Sequence, residues 1–182
     1  MDDADAAGDE FELELSLPLA WQSLPALPAD EQLAQQAQAA FELLRRLRPL
    51  TLGAAETGED PSERPLGDGV RLERKLDLVL ELLGRLLATG VTLPAVCRVW
   101  LSAAALRWMP AAEAPAGPLQ ISLYLDPRYP DPLCLCGFAR PAAQGGVRLE
   151  FAGLDDGLRD ELRRLVFVWH RRAVAQRRRN GR

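Results

Sequence analysis

The stretch LQISLYLDPRYPDPLCLCGFARPAAQGGVRLEF, residues 119–151, decides the fold class. Within it Leu119, Ile121, Leu123 and Leu125 alternate with Gln120, Ser122 and Tyr124, the period-two pattern of a strand with one buried face. Two more apolar runs, 132–138 and 147–151, follow at hairpin distance, and the intervening DPRYPDP and PAAQGG are turn clusters too short to hold a helix. Short strands joined by turns predict an antiparallel meander or small barrel. Upstream, residues 96–101 form another such run. Earlier still, Phe11, Leu13, Leu15 and Leu17 alternate with Glu12, Glu14 and Ser16 until Pro18, which is expected to end that strand, leaving 19–28 irregular but apolar.

Between the first strand and the rest lie two helical patterns. Asp30 is placed to cap a helix over 30–48, with Pro49 as its stop, and Leu33, Ala37, Ala40, Leu44 and Leu47 fall at spacings of 4, 3, 4 and 3. A Gly-, Pro- and acid-rich loop occupies 51–69. The second helix, 70–88, repeats the spacing in Leu72, Leu76, Val79, Leu83 and Leu86, while Leu80, Leu82 and Leu87 widen its apolar surface beyond one stripe. Both stripes are therefore candidate oligomerisation surfaces. A closing amphipathic helix, about 155–175, carries Leu158, Leu162, Leu165 and Trp169. The expected order is one strand, two helices, four strands and one helix. This is an α+β chain in which helices at about 30–90 are inserted into a β domain with strands at about 11–17 and 96–151. That single domain, 11–175, would stand between an acidic, disordered segment at 1–10 and a basic tail at 176–182.

Composition agrees with a soluble globular domain: 182 residues, 48% hydrophobic, 26% charged. An odd count of three cysteines, an acidic start unlike a secretory leader and no apolar run of spanning length predict reduced thiols, a cytoplasmic setting and no membrane insertion. The first fourteen residues hold seven acids and no base, whereas 171–182 hold six arginines and no acid. With a net charge of -4 and few aromatics in the basic end, nucleic acid is not an expected partner.

Catalytic chemistry is thin. The single histidine, His170, sits beside Trp169 and Arg171 on a basic helix, a surface position in kind. Cys134 and Cys136 share a strand face but have no second pair to complete a tetrahedral zinc site, and they read as small buried hydrophobes. Asp155 and Asp156 are placed to cap the closing helix, and no Gly-rich phosphate loop occurs. No catalytic residue, metal or cofactor is expected, and the chain is not read as an enzyme.

Three runs, VWLSAAALRW (99–108), ISLYLDPRYPDPLCLCGFA (121–139) and VRLEFAGLDDGLRDELRRLVFVWHRR (147–172), together resemble the strands and closing helix of PilZ domains, small β-barrels known as cyclic di-GMP receptors. The leading FELELSLPLAW (11–21) and the helix RLERKLDLVLELLGRLLA (71–88) are similar to the atypical tetrameric subgroup, which carries two extra heptad-bearing helices ahead of most of the barrel. The resemblance spans about 11–172 and rests on element order and helix character.

Ligand-binding members of that family carry an upstream R-x-x-x-R pair and a D/N-x-S-x-x-G turn. Aligning the turn on Ser102 places Trp100 at the Asp/Asn position and Ala105 at the Gly position. Arg159 with Arg163 and Arg178 with Arg182 have the pair's spacing but follow the turn, and ahead of it stands only Arg71 with Lys75, whose ammonium lacks the planar fork of a guanidinium. The resemblance thus implies a non-catalytic signalling module that self-associates, favouring a tetramer, and binds an unidentified protein, with its nucleotide site degenerate. The rival expectation is a cyclic di-GMP receptor that uses other arginines.

Overall fold

Six antiparallel strands close into a barrel in a computed structural model that describes residues 11–52, 76, 79, 83, 92–110, 115–126, 129 and 131–180. They are β1 (Leu13–Ser23), β2 (Val96–Leu101), β3 (Ala105–Trp108), β4 (Gly117–Leu123), β5 (Leu133–Pro141) and β6 (Val147–Phe151), and they neighbour one another in the order β1-β2-β3-β6-β5-β4. Closure follows from β1 pairing on both sides: its first half meets β2, from Leu13↔Leu101 to Pro18↔Val96, and its second half meets β4, from Leu19↔Leu123 to Ser23↔Leu119. A closed ladder leaves no strand edge to aggregate.

Register decides which side chains fill the interior. Leu15 lies opposite Val99, Val99 opposite Trp108, Trp108 opposite Val147, and Ile121 opposite Leu135, so apolar residues meet in every layer. Val99, Leu101, Leu106, Leu119, Ile121, Leu123, Leu133, Val147 and Leu149 are wholly buried. Two close approaches demand glycine. A Cβ on Gly137 would stand 2.1 Å from the carbonyl oxygen of Glu150, where β5 meets β6, and Gly146, at φ +82°, would meet the Trp108 carbonyl oxygen at 2.3 Å.

Helix α1 (Asp30–Leu52) lies against β5, and helix α2 (Asp156–Asn180) packs on α1. Leu158 and Leu162 are wholly buried, and the Asp155 carboxylate accepts the Leu158 amide at 2.7 Å, so it caps α2 as its sequence position predicts.

The structure corrects the sequence reading at six places. Pro18 does not end β1: it is the last residue paired with β2, at the point where the strand passes to β4, and its carbonyl accepts the Tyr124 amide at 3.1 Å. A residue without an N–H fits that changeover without breaking either ladder. Strand β3 is an additional element, missed because the apolar run read from the sequence closes at Leu101 and the turn at 102–104, which contains neither glycine nor proline, gives no signal that a second strand follows. Helix α1 begins one residue after Ala29, whose carbonyl accepts the Leu33 amide at 3.0 Å, so Asp30 serves the first turn by its charge and not as the cap. It also runs past Pro49, since a proline costs about 3 kcal/mol in a helix and the buried stripe before it offsets that.

The fifth correction matters most for function. Leu33, Ala37, Ala40, Leu44 and Leu47 are buried in the chain's own core, facing the barrel and α2, and are not available as an oligomerisation surface. A 4, 3, 4, 3 spacing marks an apolar helix face, and the same face serves an intramolecular partner as well as an intermolecular one. Finally, α2 continues to Asn180, so most of the expected basic tail is helical. The segment 1–10, residues 53–69 and, apart from Leu76, Val79 and Leu83, the second helix lie outside the described residues.

Candidate functional site

The barrel's outward face between β1 and β5 carries a row of side chains in register. Glu14 lies opposite Trp100, Trp100 opposite Arg107, Arg107 opposite Arg148, and Arg148 opposite Arg140, taking one residue from each of five adjacent strands. Cross-strand partners on one face stand close enough for their side chains to interact. Here they do.

Arg107 is the pivot. Its guanidinium carbon lies 3.8 Å from the centroid of the Trp100 ring, a cation–π stack, and its Nη2 donates to Glu12 Oε2 at 3.5 Å. Only 8% of Arg107 is exposed, so its charge is largely desolvated and needs these contacts. The other oxygen of Glu12 accepts from Arg148 Nη1. One carboxylate thus bridges two guanidinium groups. Arg98 pairs with Glu14 at 3.2 Å on the same face, but both side chains are more than half exposed and the pair contributes little.

The turn that carries Ser102 joins β2 to β3. Ser102 is fully buried and its hydroxyl oxygen accepts the amides of Ala104 at 3.2 Å and Ala105 at 3.0 Å while it donates to the Ala105 carbonyl at 3.2 Å. Its hydroxyl therefore holds the turn. Ala105 is buried and pairs with Glu150 across β6. The Trp100 ring is covered by the Arg107 guanidinium. Among the later arginine pair, Arg163 is bound to Asp160 on its own helix at 2.8 Å and Arg159 has its Nε buried, so the two form no joint clamp in the described structure. Arg71 and Lys75 lie outside the described residues.

The second candidate feature is apolar. Leu76, Val79 and Leu83 are helical and 52%, 51% and 50% exposed, spaced so that they share one helix face. Leu72 and Leu86, the other members of that stripe, lie outside the described residues.

The thiols and the histidine are placed away from such chemistry. Burial pushes the Cys97 thiol up from its ordinary value. Burial pushes Cys136 up as well, helped by neighbouring Cys134 and opposed by a hydrogen bond from Gln36 of α1. Protonated thiols are poor nucleophiles and poor metal ligands. The His170 ring meets Phe11 edge-on, centroids 4.6 Å apart. Among the described residues no group of three or more His, Cys, Asp or Glu side chains could hold a metal ion, and no helix is long and apolar enough to cross a membrane.

Arg107, Arg148, Arg140 and Glu12 were not singled out by sequence reasoning. Alternation does mark the three arginines as outward residues of apolar strands, but their alignment depends on β3 pairing with β6, a contact between strands that are not consecutive.

Comparison with known proteins agrees with this architecture. The family model described as an atypical PilZ domain, cyclic di-GMP receptor, matches residues 43–179. Among solved structures the chain is similar to a pathogenic protein from Xanthomonas campestris, described as a new tetrameric PilZ domain self-assembled via an unusual helical bundle. The TM-score is 0.67 and the identity 28%, over 92% of each chain. No curated protein matches by sequence. With a closed barrel, its flanking helices and three quarters of its length matched by the family model, this chain belongs to the atypical PilZ family.

Proposed function

We propose that this chain is a non-catalytic regulatory module of the cytoplasm that self-associates through the helix bearing Leu76, Val79 and Leu83 and acts by binding another protein. The observation that carries this reading is the half-exposed stripe itself: three large apolar side chains on one helix face, in a chain similar to one that assembles through a helical bundle. A contiguous apolar face of that kind is an interaction surface in a soluble protein. A tetramer is the favoured assembly.

The same reading holds that the nucleotide site is degenerate. Trp100 replaces a polar ligand contact, the Ser102 hydroxyl is engaged by its own turn, and Arg107, the one buried arginine among the described residues, is already stacked on Trp100 and paired with Glu12. A second reading, a cyclic di-GMP receptor using Arg107, Arg148 and Arg140, is favoured by the family's description and by the arginine row. Calorimetric titration with cyclic di-GMP decides between them: the degenerate-site reading requires no saturable heat at about 10–50 μM, a Kd range in which a working site would register. Sedimentation of the wild-type chain tests self-association, and a monomer there would overturn it.

A further inference from the structure

Phe11 and Glu12 precede the first ladder pair of β1, Leu13↔Leu101, so side chains hold them. Phe11 does so by its edge-on contact with His170 of α2, and Glu12 by its bridge between Arg107 and Arg148. An aromatic residue followed by a glutamate is therefore already docked on a two-part receptor, an imidazole edge and a pair of guanidinium groups. Glu12 bridges only Arg107 and Arg148; Arg140, next in register beside Arg148, lies over the Phe138 ring at 5.5 Å, so a third guanidinium borders the bridging carboxylate without being bound to it.

We propose that the Arg107–Arg148–Arg140 row with His170 is a docking site for an acidic protein segment that presents an aromatic residue followed by a glutamate, and that Phe11–Glu12 is its internal occupant. A carboxylate matches the guanidinium fork. A nucleotide base is disfavoured, because the indole face beside the arginines is already stacked under Arg107 at 3.8 Å. A segment joined directly to β1 competes at a high effective concentration, so the site admits a partner only when its own glutamate is withdrawn. This extends the protein-binding reading above and names the partner's chemistry. It places that function on the barrel, apart from the helical stripe of self-association.

The test uses the full chain and a labelled peptide copying residues 9–14, DEFELE, followed by fluorescence anisotropy. Glu12→Gln should bind the peptide about tenfold or more tighter than wild type, and adding Arg148→Ala should abolish the gain, as should a peptide with glutamines in place of its acids. Absence of peptide binding by Glu12→Gln at about 100 μM overturns the proposal. So does binding of pyrophosphate or cyclic di-GMP by that variant without binding of the peptide, which would make the row a phosphate site. Should Glu12→Gln fail to fold, Phe11→Ala releases the other anchor and leaves every charge in place; it should bind the peptide several-fold better than wild type, and no gain overturns the proposal. Sedimentation of the same variants reports on the helical stripe separately, so loss of one function is distinguishable from loss of the other.

Discussion

Replacing Val79 and Leu83 together by glutamate should dissociate the assembly while leaving the barrel folded. Full burial of a valine or leucine side chain is worth about 1.5–3 kcal/mol, and roughly half of that remains available at Leu76, Val79 and Leu83, so each contributes about 1 kcal/mol on association. Four copies would gather about 12 kcal/mol from these three positions, against an association cost of about 4–15 kcal/mol for each joining event. Such an assembly needs the rest of the stripe as well and has little surplus. The double substitution removes about 2 kcal/mol of burial per copy and forces two carboxylates into an apolar seam, at several kcal/mol more. Sedimentation velocity should then show smaller species at about 10–50 μM, with the β signal in circular dichroism unchanged because none of the barrel's layers contains these residues. A variant that sediments like the wild type would refute the assignment of the seam. A variant that unfolds outright would show that fold and assembly cannot be separated.

Other outcomes follow from the same geometry. Gly137→Ala should cost several kcal/mol and lower the thermal midpoint by ten degrees or more, roughly, since its Cβ would press on backbone at 2.1 Å and not on a yielding side chain. Trp100→Asp with Ala105→Gly should not create measurable cyclic di-GMP binding by calorimetry, because the turn would be restored without an upstream arginine pair; tight binding would contradict the degenerate-site reading. Removing residues 1–9 should shift the melting midpoint by no more than about 1–2 °C, since Phe11 and Glu12 keep their anchors on α2 and β3–β6. Cys97 and Cys136 have thiols raised by burial, so the folded chain holds protons there that the unfolded chain has released. Stability is full below the ordinary thiol value of about 8.5 and should fall as pH rises above it, which denaturant titrations between neutral and alkaline pH would read.

The sheet was legible because its strands obey a strict alternation: Leu119, Ile121 and Leu123 face inward and Ser122 outward, as their spacing requires. The places where reading failed are those where a local rule met a tertiary fact. Pro18 breaks a strand only if its missing N–H is wanted, and at a changeover between two partners it is not. The stripe on α1 has the same spacing as the stripe on the second helix, and only the fold shows that the first covers β5 and α2 while Leu76, Val79 and Leu83 stay half in water. The site was less accessible still. Trp100 and Ser102 could be found by motif, but Arg107, Arg148 and Glu12 are scattered over 136 positions of sequence separation and meet only through the β3–β6 pairing.

The two surfaces differ in what they leave unsatisfied, and that difference divides their roles. On the barrel face the groups at the centre of the row have partners within the chain: Arg107 has Trp100 and Glu12, Arg148 has Glu12, and Arg98 has Glu14. A ligand arriving there must displace an interaction nearly as good as the one it offers, so the face responds to exchange and gives little net affinity in the wild type. The helical stripe has apolar area facing water, and covering it displaces only solvent. On the proposed roles, association through the helix would be constitutive, whereas recognition at the barrel would depend on first freeing two arginines from Glu12. A change that acts on Glu12 alone, such as its neutralisation, should alter recognition and leave the oligomer intact, and a change at Val79 or Leu83 should do the reverse.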